Sequence, residues 1–572
     1  MIACLSEPVP KPDDLLLSDG GFHLVVPVLL LSLLVVAPLA WLTRQRYRRW
    51  VMRLMSLDQK AEAPAALREA AAAAPPAAWA PTDGAAGTLA HTLAQGERRV
   101  WLATLAAWAV FGGMGLWVAG LGGPVTQGQR LAFAAAAALL ALGPLMTQLP
   151  DRGARQAHRT GAVAALLALL LLWWMDAQSP SVPATGAAGD DDPTVTEGVL
   201  IAASLALGYW AMFDRRLRGQ VQPLVVLVSV AALAVLLPYG WLEQHAGSCL
   251  ARVDQAAEAG RQLPMNLMTV AMMSLGAVAV WLGFRAVAGL VWLIEQRHLS
   301  ESALGGALCL ALLAVTLVYQ RAPEEAEALR SAHLLAAPLW LAASFGAQWL
   351  ALAGLPGRRR GDGPGPRLLV LRVFSADPRK HALLDSVQAR WRFVGPVLQI
   401  GGPDLVAMNV DPYEASMYLS ARMHRLFLPT VVGGAALQAQ LDARPCRDGR
   451  HRIHEVFCFN TAWRQSVEQL MLDADAIVLD VRGLNAQREG TSYEIGRLAV
   501  RGLLPRVVAV GDADTDWPHV DDMLRRHGGD PARLPRIGDA RDGSVDDLLD
   551  RLIAAASAPG IPHTMREVLP AQ

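Results

Sequence analysis

The chain has 572 residues, 53% of them hydrophobic and 18% charged, with 51 basic side chains balancing 51 acidic ones. So apolar a composition is foreign to an ordinary soluble protein, and the lack of a basic excess speaks against a nucleic-acid-binding protein. Five widely spaced cysteines, Cys4, Cys249, Cys309, Cys446 and Cys458, imply no disulfide framework.

The front of the chain is apolar. A bilayer-spanning helix needs about 20 mostly apolar residues, and nine runs meet or approach that length: Phe22–Leu42, Trp101–Leu121, Leu131–Leu149, Gly161–Met175, Val195–Phe213, Pro223–Trp241, Met265–Ile294, Ala303–Tyr319 and Leu334–Gly354. Arginines follow the first, third, fifth and ninth runs (Arg44, Arg46, Arg48 and Arg49; Arg152, Arg155 and Arg159; Arg215, Arg216 and Arg218; Arg358 to Arg360), whereas opposite loops carry Asp190 to Asp192 and Glu324–Glu325. The positive-inside rule then places the N-terminus outside and the C-terminus in the cytoplasm. Acidic residues precede the first run and basic ones follow it, the reverse of a secretory leader, so it reads as an uncleaved anchor. Arg285 is the one convincing ionisable residue inside these runs. That favours a packed anchor or sensor bundle over a transporter, whose pathway would carry more such groups.

These patterns divide the chain into a multi-span region over 1–355, with an Ala/Pro-rich cytoplasmic loop near 51–98, and a Gly/Pro/Arg linker over 356–366. The linker residues cannot sustain a helix and predict a flexible tether. An α/β domain over 367–560 and a tail over 561–572 complete the division. In the α/β domain, strands are predicted at 368–374, 396–400, 476–481 and 506–510. Helices are predicted at about 375–392, 413–426, 461–472, 491–501 and 544–556. Strands alternating with helices imply a Rossmann-like parallel sheet covered on both faces. The expected fold is therefore a polytopic α-helical membrane bundle joined to such a domain.

Ligands of parallel sheets bind outside the carboxyl ends of the strands. That rule nominates Arg372, Ser375 and Asp377 around the end of the first strand, Gly401 to Asp404 after the second, Asp480 and Arg482 after the third, and Asp512 to Asp516 after the fourth. The third is the most informative. Asp475-Ala-Ile-Val-Leu-Asp480 leads through a polar loop into Gly490-Thr491-Ser-Tyr493-Glu494-Ile-Gly496. Thr491-x-x-Glu494 is also the spacing of a capping box, in which both side chains satisfy backbone N–H groups at a helix start. Capping, ligand binding and catalysis all remain open readings of these two residues.

This strand–loop–helix resembles that of the nucleoside 2-deoxyribosyltransferases, where a Gly-Thr-x-x-Glu-x-Gly helix start carries the nucleophilic glutamate. It is also similar to TIR domains, whose NAD-cleaving members use a glutamate on a comparable helix; Val373-Phe374-Ser375-Ala-Asp377 loosely resembles the first TIR strand and loop. Asp404–Asn460 fits neither pattern. The resemblance implies Glu494 as the catalytic residue. A carboxylate in the first turn of a helix is favoured in its ionised form and suits stabilisation or capture of an oxocarbenium-like sugar. Asp480 would then hold a ribose hydroxyl, Arg482 or Arg372 a phosphate, and Tyr493 or Trp463 would stack on a base.

Two other clusters rank lower. Cys446, His451, His454 and Cys458 match no standard zinc spacing. Asp512-x-Asp514-x-Asp516 lacks the glycine and terminal glutamate of a calcium loop. No metal is expected, and no cofactor beyond NAD or a nucleoside as substrate. The expected partners are the lipid bilayer, a small nucleotide and a second copy of the chain. The expected function is that of a signalling or effector protein of a bacterial inner membrane. A non-enzymatic sensor or scaffold and a transporter with a regulatory domain are the alternatives. Fusing reporters to the C-terminus checks the orientation: green fluorescent protein should fluoresce there and alkaline phosphatase should stay inactive.

Overall fold

The structure, a computed structural model, describes residues 19–56, 84–121, 125–149 except 147, parts of 160–171 and 217–235, 262–319, 327–357, 365–372, 378–401, 410–428, 441–459 except 442, 462–484, 489–538 and 544–558. Within these limits it is mostly helical, with one parallel sheet.

The apolar front forms long helices: α1 (Asp19–Met55), α2 (Ala85–Ala119), α3 (Gln127–Met146), α4 (Gln262–Glu295), α5 (Glu301–Tyr319) and α6 (Glu327–Gly354). Among the described residues, four helical stretches are long and apolar enough to cross a membrane: Ala85–Ala119, Gln127–Met146, Met273–Glu295 and Ala336–Gly354. The apolar runs at 22–42 and 303–319 lie within α1 and α5. Those at 161–175, 195–213 and 223–241 lie wholly or partly outside the described residues. Small residues set the packing of α2 on α3. A Cβ at Gly112 would stand 3.0 Å from the Ala138 Cβ, and one at Gly115 would stand 3.0 Å from the Ala134 Cα. Close approach of backbones over small residues is a common helix contact where no water drives association. Beside it the fully buried Trp340 donates its indole N–H to the Phe111 carbonyl at 2.8 Å.

The sheet comprises β1 (Leu368–Arg372), β2 (Val397–Gly401), β3 (Phe427–Leu428), β4 (Ile453–Cys458), β5 (Ala476–Asp480), β6 (Val507–Val510) and β7 (Arg536–Ile537). Its seven strands run in the order β3-β4-β2-β1-β5-β6-β7, and every neighbouring pair is parallel. Interspersed are α7 (Pro378–Trp391), α8 (Pro412–Leu419), α9 (Trp463–Asp473), α10 (Glu489–Val500), α11 (Trp517–Arg526) and α12 (Ser544–Ser557). Strands β3, β4 and β7 and helix α11 are additions to the sequence reading. β4 falls between the helices expected at 413–426 and 461–472, and its His454 and Glu455 interrupt an apolar run.

Successive side chains of a strand point to opposite faces, and both faces are buried. Leu369, Leu371, Ile477, Leu479, Val507 and Ala509 pack with α9, α10 and α11. Leu368, Val370, Ala476, Val478, Val508 and Val510 pack with α7 and α12. That second face is also covered by Leu89, Leu93 and Val100 of α2. A 35-residue helix is about 52 Å long, more than the roughly 30 Å of a hydrocarbon core. Residues 85–98, expected in a loop, are therefore the start of this helix, and they reach the sheet.

The two halves consequently meet along a polar, buried join, which corrects the expectation that the linker alone connects them. Arg99 of α2 donates from Nε to the Leu352 carbonyl at 2.8 Å and from Nη2 to the Arg447 carbonyl at 3.3 Å. Arg390 of α7 bridges Glu97 at 2.6 Å and Asp546. Arg450 donates to the Gln148 carbonyl. Arg452 stands 3.4 Å from Glu301 of α5, with its guanidinium 3.7 Å above the Tyr413 ring. Even the described end of the linker is packed: Trp391 donates to the Pro366 carbonyl at 3.2 Å. Arg452→Ala would take its ion-pair partner from the buried Glu301. It is expected to lower stability by about 3–5 kcal/mol, measured by chemical denaturation in detergent.

Candidate functional site

The chain order of the strands locates the place where a ligand would enter. From β1 the chain builds outward through β2 to β4, then returns to the other side of β1 with β5. At such a topological switch the connections leave in opposite directions, opening a crevice at the strands' carboxyl ends. The last residues of the two strands, Arg372 and Asp480, are register partners there.

Of the residues nominated from sequence, the topology brings Arg372, Asp480, Arg482, Gly490, Thr491, Tyr493 and Glu494 to this end of β1 and β5 or onto α10, the helix that follows β5. Ser375 and Asp377 lie outside the described residues. Arg372, Asp480, Arg482 and Thr491 are buried. Asp480 is fully engaged. Its Oδ1 accepts from Arg482 Nε at 2.8 Å and from the Arg482 backbone N–H at 3.2 Å, and its Oδ2 accepts from Arg482 Nη2 at 2.8 Å. The side chain expected to hold a ribose hydroxyl therefore fixes a guanidinium instead. A bidentate pair of this kind holds one orientation more strictly than a single bond.

Glu494 departs further from expectation. Helix α10 begins at Glu489, so Thr491 is already inside it and Glu494 lies beyond the first turn. Neither forms the expected capping box. Glu494 Oε2 is closed off from solvent and accepts no hydrogen bond, although the residue as a whole is half-buried. With no partner to favour the charged form, burial pushes the carboxyl up to about 8. At neutral pH the side chain is mainly the neutral acid, which donates a proton. A proton donor suits a general acid, whereas the resemblance implies a nucleophile.

Around the start of α10 lies a half-buried aromatic pair. Trp463 of α9 and Tyr493 meet edge to face with centroids 5.4 Å apart, and the Arg464 guanidinium lies 5.6 Å and 5.2 Å from their rings. A Cβ at Gly490 would stand 3.9 Å from Trp463, in ordinary contact. Burial raises the Tyr493 hydroxyl, and Glu468 adds to this. Glu468 itself is raised by burial but is held below its ordinary range by Arg497 and Arg501, both of which bond its Oε1 and tie α9 to α10. Gly496 is required by packing, since a Cβ there would fall 2.8 Å from the His527 ring. Arg464 is the residue that sequence reasoning missed; its place beside Trp463 was the available signal.

The lower-ranked clusters have structural roles. Cys446 and Cys458 are buried thiols, and burial pushes each up to about 11. The His451 Nδ1 lies 2.7 Å from the Ala443 carbonyl. Asp512 and Thr515 close a turn, and Asp516 caps α11 by accepting the His519 N–H at 3.1 Å. Among the described residues no three His, Cys, Asp or Glu side chains are grouped to hold a metal ion.

Compared with protein-family models, curated proteins and solved structures, the chain matches none.

The raised Glu494 carboxyl has a consequence for stability. Below about pH 4.5 the acid is protonated whether folded or unfolded; between there and about pH 8 only the unfolded chain loses the proton. Stability is then lost as pH rises, by at most about 1.4 kcal/mol per pH unit. Glu494→Gln cannot ionise and is expected to flatten the decline, as read from urea midpoints taken across that window.

Proposed function

We propose that this is a membrane-anchored signalling or effector protein whose α/β domain binds a nucleoside or nucleotide at the β1/β5 switch and cleaves its N-glycosidic bond. The observation that carries the reading is the Glu494 carboxyl, one oxygen of which is closed off from solvent without a hydrogen-bond partner, on the helix that leaves this switch. Strongly perturbed acids gather where chemistry is done. A carboxyl titrating near 8 is tuned for general acid catalysis at neutral pH.

In this reading Glu494 delivers its proton to a ring nitrogen of the departing base as the C–N bond breaks. A water molecule adds to the sugar carbon and its released proton restores the acid. Arg482, held by Asp480, and Arg372 face the anionic part of the ligand, and the Trp463–Tyr493 pair meets the base. Such an acid serves a purine-like base, which leaves more readily when protonated. In NAD the base is already a cationic pyridinium that leaves the ribose carbon as neutral nicotinamide, so its departure needs no proton.

The anchor rests on the exposed apolar surface of the long helices. Trp41, Trp281, Trp292 and Trp349 are each more than half exposed, with Val270, Met273 and Leu350. Exposed apolar area of this extent suits lipid tails, and tryptophan suits the headgroup level. The arginine pattern places the α/β domain in the cytoplasm, with the inner membrane of a bacterium as the setting.

A second reading, a sensor or scaffold without turnover, is favoured by the buried polar join, which links any movement of the helices to the sheet. The full-length protein in detergent, incubated with purine nucleosides and with NAD, separates the two. Base release from nucleosides that falls about 100-fold or more in Glu494→Gln supports the enzyme. No release and no binding by wild type removes it and leaves the scaffold.

A further inference from the structure

The join between the halves contains a second buried acid, remote in sequence from the site on α10. Glu414 of α8 is 4% exposed and Tyr47 of α1 is 1% exposed. The Tyr47 hydroxyl donates to Glu414 Oε2 at 3.3 Å, and the Asp411 backbone N–H donates to the same oxygen at 3.4 Å. The other oxygen, Oε1, is buried and receives no N–H or O–H from a neighbour. What faces the carboxyl is another one, that of Glu455 on β4, whose Oε2 accepts from Gln399 Nε2 of β2 at 3.3 Å. A buried carboxyl and a half-buried one brought together cannot both be ionised without strong repulsion; a hydrogen bond between them requires a proton.

We propose that Glu414 and Glu455 share one proton in the docked join, and that losing this proton to solvent loosens α8 from the sheet and, through Tyr47, frees α1 with it: the pair is a proton-operated latch that seats α8 on β4 and α1 on α8.

The groups around the pair support that direction. Asp411, at the N-cap of α8, adds a third acid, and Tyr47 from α1 is a donor that cannot neutralise two negative charges. The nearest arginine of β4's lead-in, Arg452, is held by Glu301 of α5 and by the Tyr413 ring. Tyr413 in turn donates to Glu295 of α4 at 3.2 Å, and Glu295 lies 3.9 Å from Arg425. Burial first, then Glu455 and Asp411, raises the Glu414 carboxyl well above its ordinary range. A carboxyl raised in the docked form favours docking at low pH, and the advantage is lost as pH rises above the ordinary carboxylate range. The latch therefore closes with acid and opens with alkali. Phe427, Phe457 and Phe459 pack in the same cluster as Tyr47, Tyr413 and Val291 of α4, so opening exposes an apolar surface that water would enter.

Hydrogen exchange of the full-length protein in detergent tests this from about pH 5 to about pH 9, with rates corrected for intrinsic chemistry. Peptides covering α8 and β4 are read against β1, β5 and β6 as internal controls. One linked proton raises the opening constant up to about tenfold per pH unit. Wild type is expected to lose join protection by about that factor per unit over part of the range, while the controls stay flat. Glu414→Gln, the isostere of the protonated acid, is expected to stay protected throughout. Should that variant fail to fold, Glu455→Gln removes the same repulsion and carries the same expectation. A flat wild-type profile overturns the latch, and so does a pH-dependent loss that persists in the folded glutamine variant. Nucleoside turnover plays no part in this readout, so its failure leaves the latch standing.

Discussion

A parallel sheet has two apolar faces, and both must be kept from water. Much of this structure follows from how that is met. One face is closed by α9, α10 and α11, all from the α/β region. The other is closed by α7 and α12 together with the first half of α2, which continues into the apolar helices. The α/β region is thus completed by a helix that begins 283 residues before its first strand (Ala85 and Leu368). Once α2 is seated, Arg99, Arg450, Arg452 and Glu301 are carried out of water with it. They persist because each meets a carbonyl, a ring or an opposite charge.

The same principle sets the protonation of the acids. Asp480 is buried and Glu494 half-buried with one oxygen closed off from solvent; both lie near the switch of the sheet, yet their environments oppose one another. Asp480 has a guanidinium bound to both oxygens and stays the partner of a cation. Glu494 has a solvent-free oxygen with no donor and is held as a neutral acid. Two carboxyls in such different surroundings are suited to different work, one fixing a guanidinium and the other moving a proton. At the join, Glu414 is raised by a different cause, a second carboxyl added to burial.

Much of the layout was legible in the residues. Short continuous apolar runs such as Leu368–Leu371 and Ala476–Leu479, bounded by turn residues, suit strands buried on both faces, and they are β1 and β5. β4 was not legible, because Glu455 and His454 break its apolar pattern. Those polar positions make sense only beside Gln399 and Glu414, contributed by distant segments. α10 was found, but its start was misplaced. The Thr491–Glu494 spacing is that of a cap, but the same spacing also occurs within a helix, and α10 begins two residues earlier at Glu489.

Composition and periodicity by themselves determined that the chain has an apolar helical front and an alternating strand–helix back, because both depend only on side-chain polarity repeated at short range. They also nominated the end of β5 and the start of α10. Only the tertiary structure decided that β1 and β5 are neighbours, that α2 lies on the sheet, and that Glu494 and Glu414 each keep a buried oxygen with no donor among the described residues. A proton's hold on a carboxyl depends on the solvent and charges around it, and those are supplied by segments far apart in the chain.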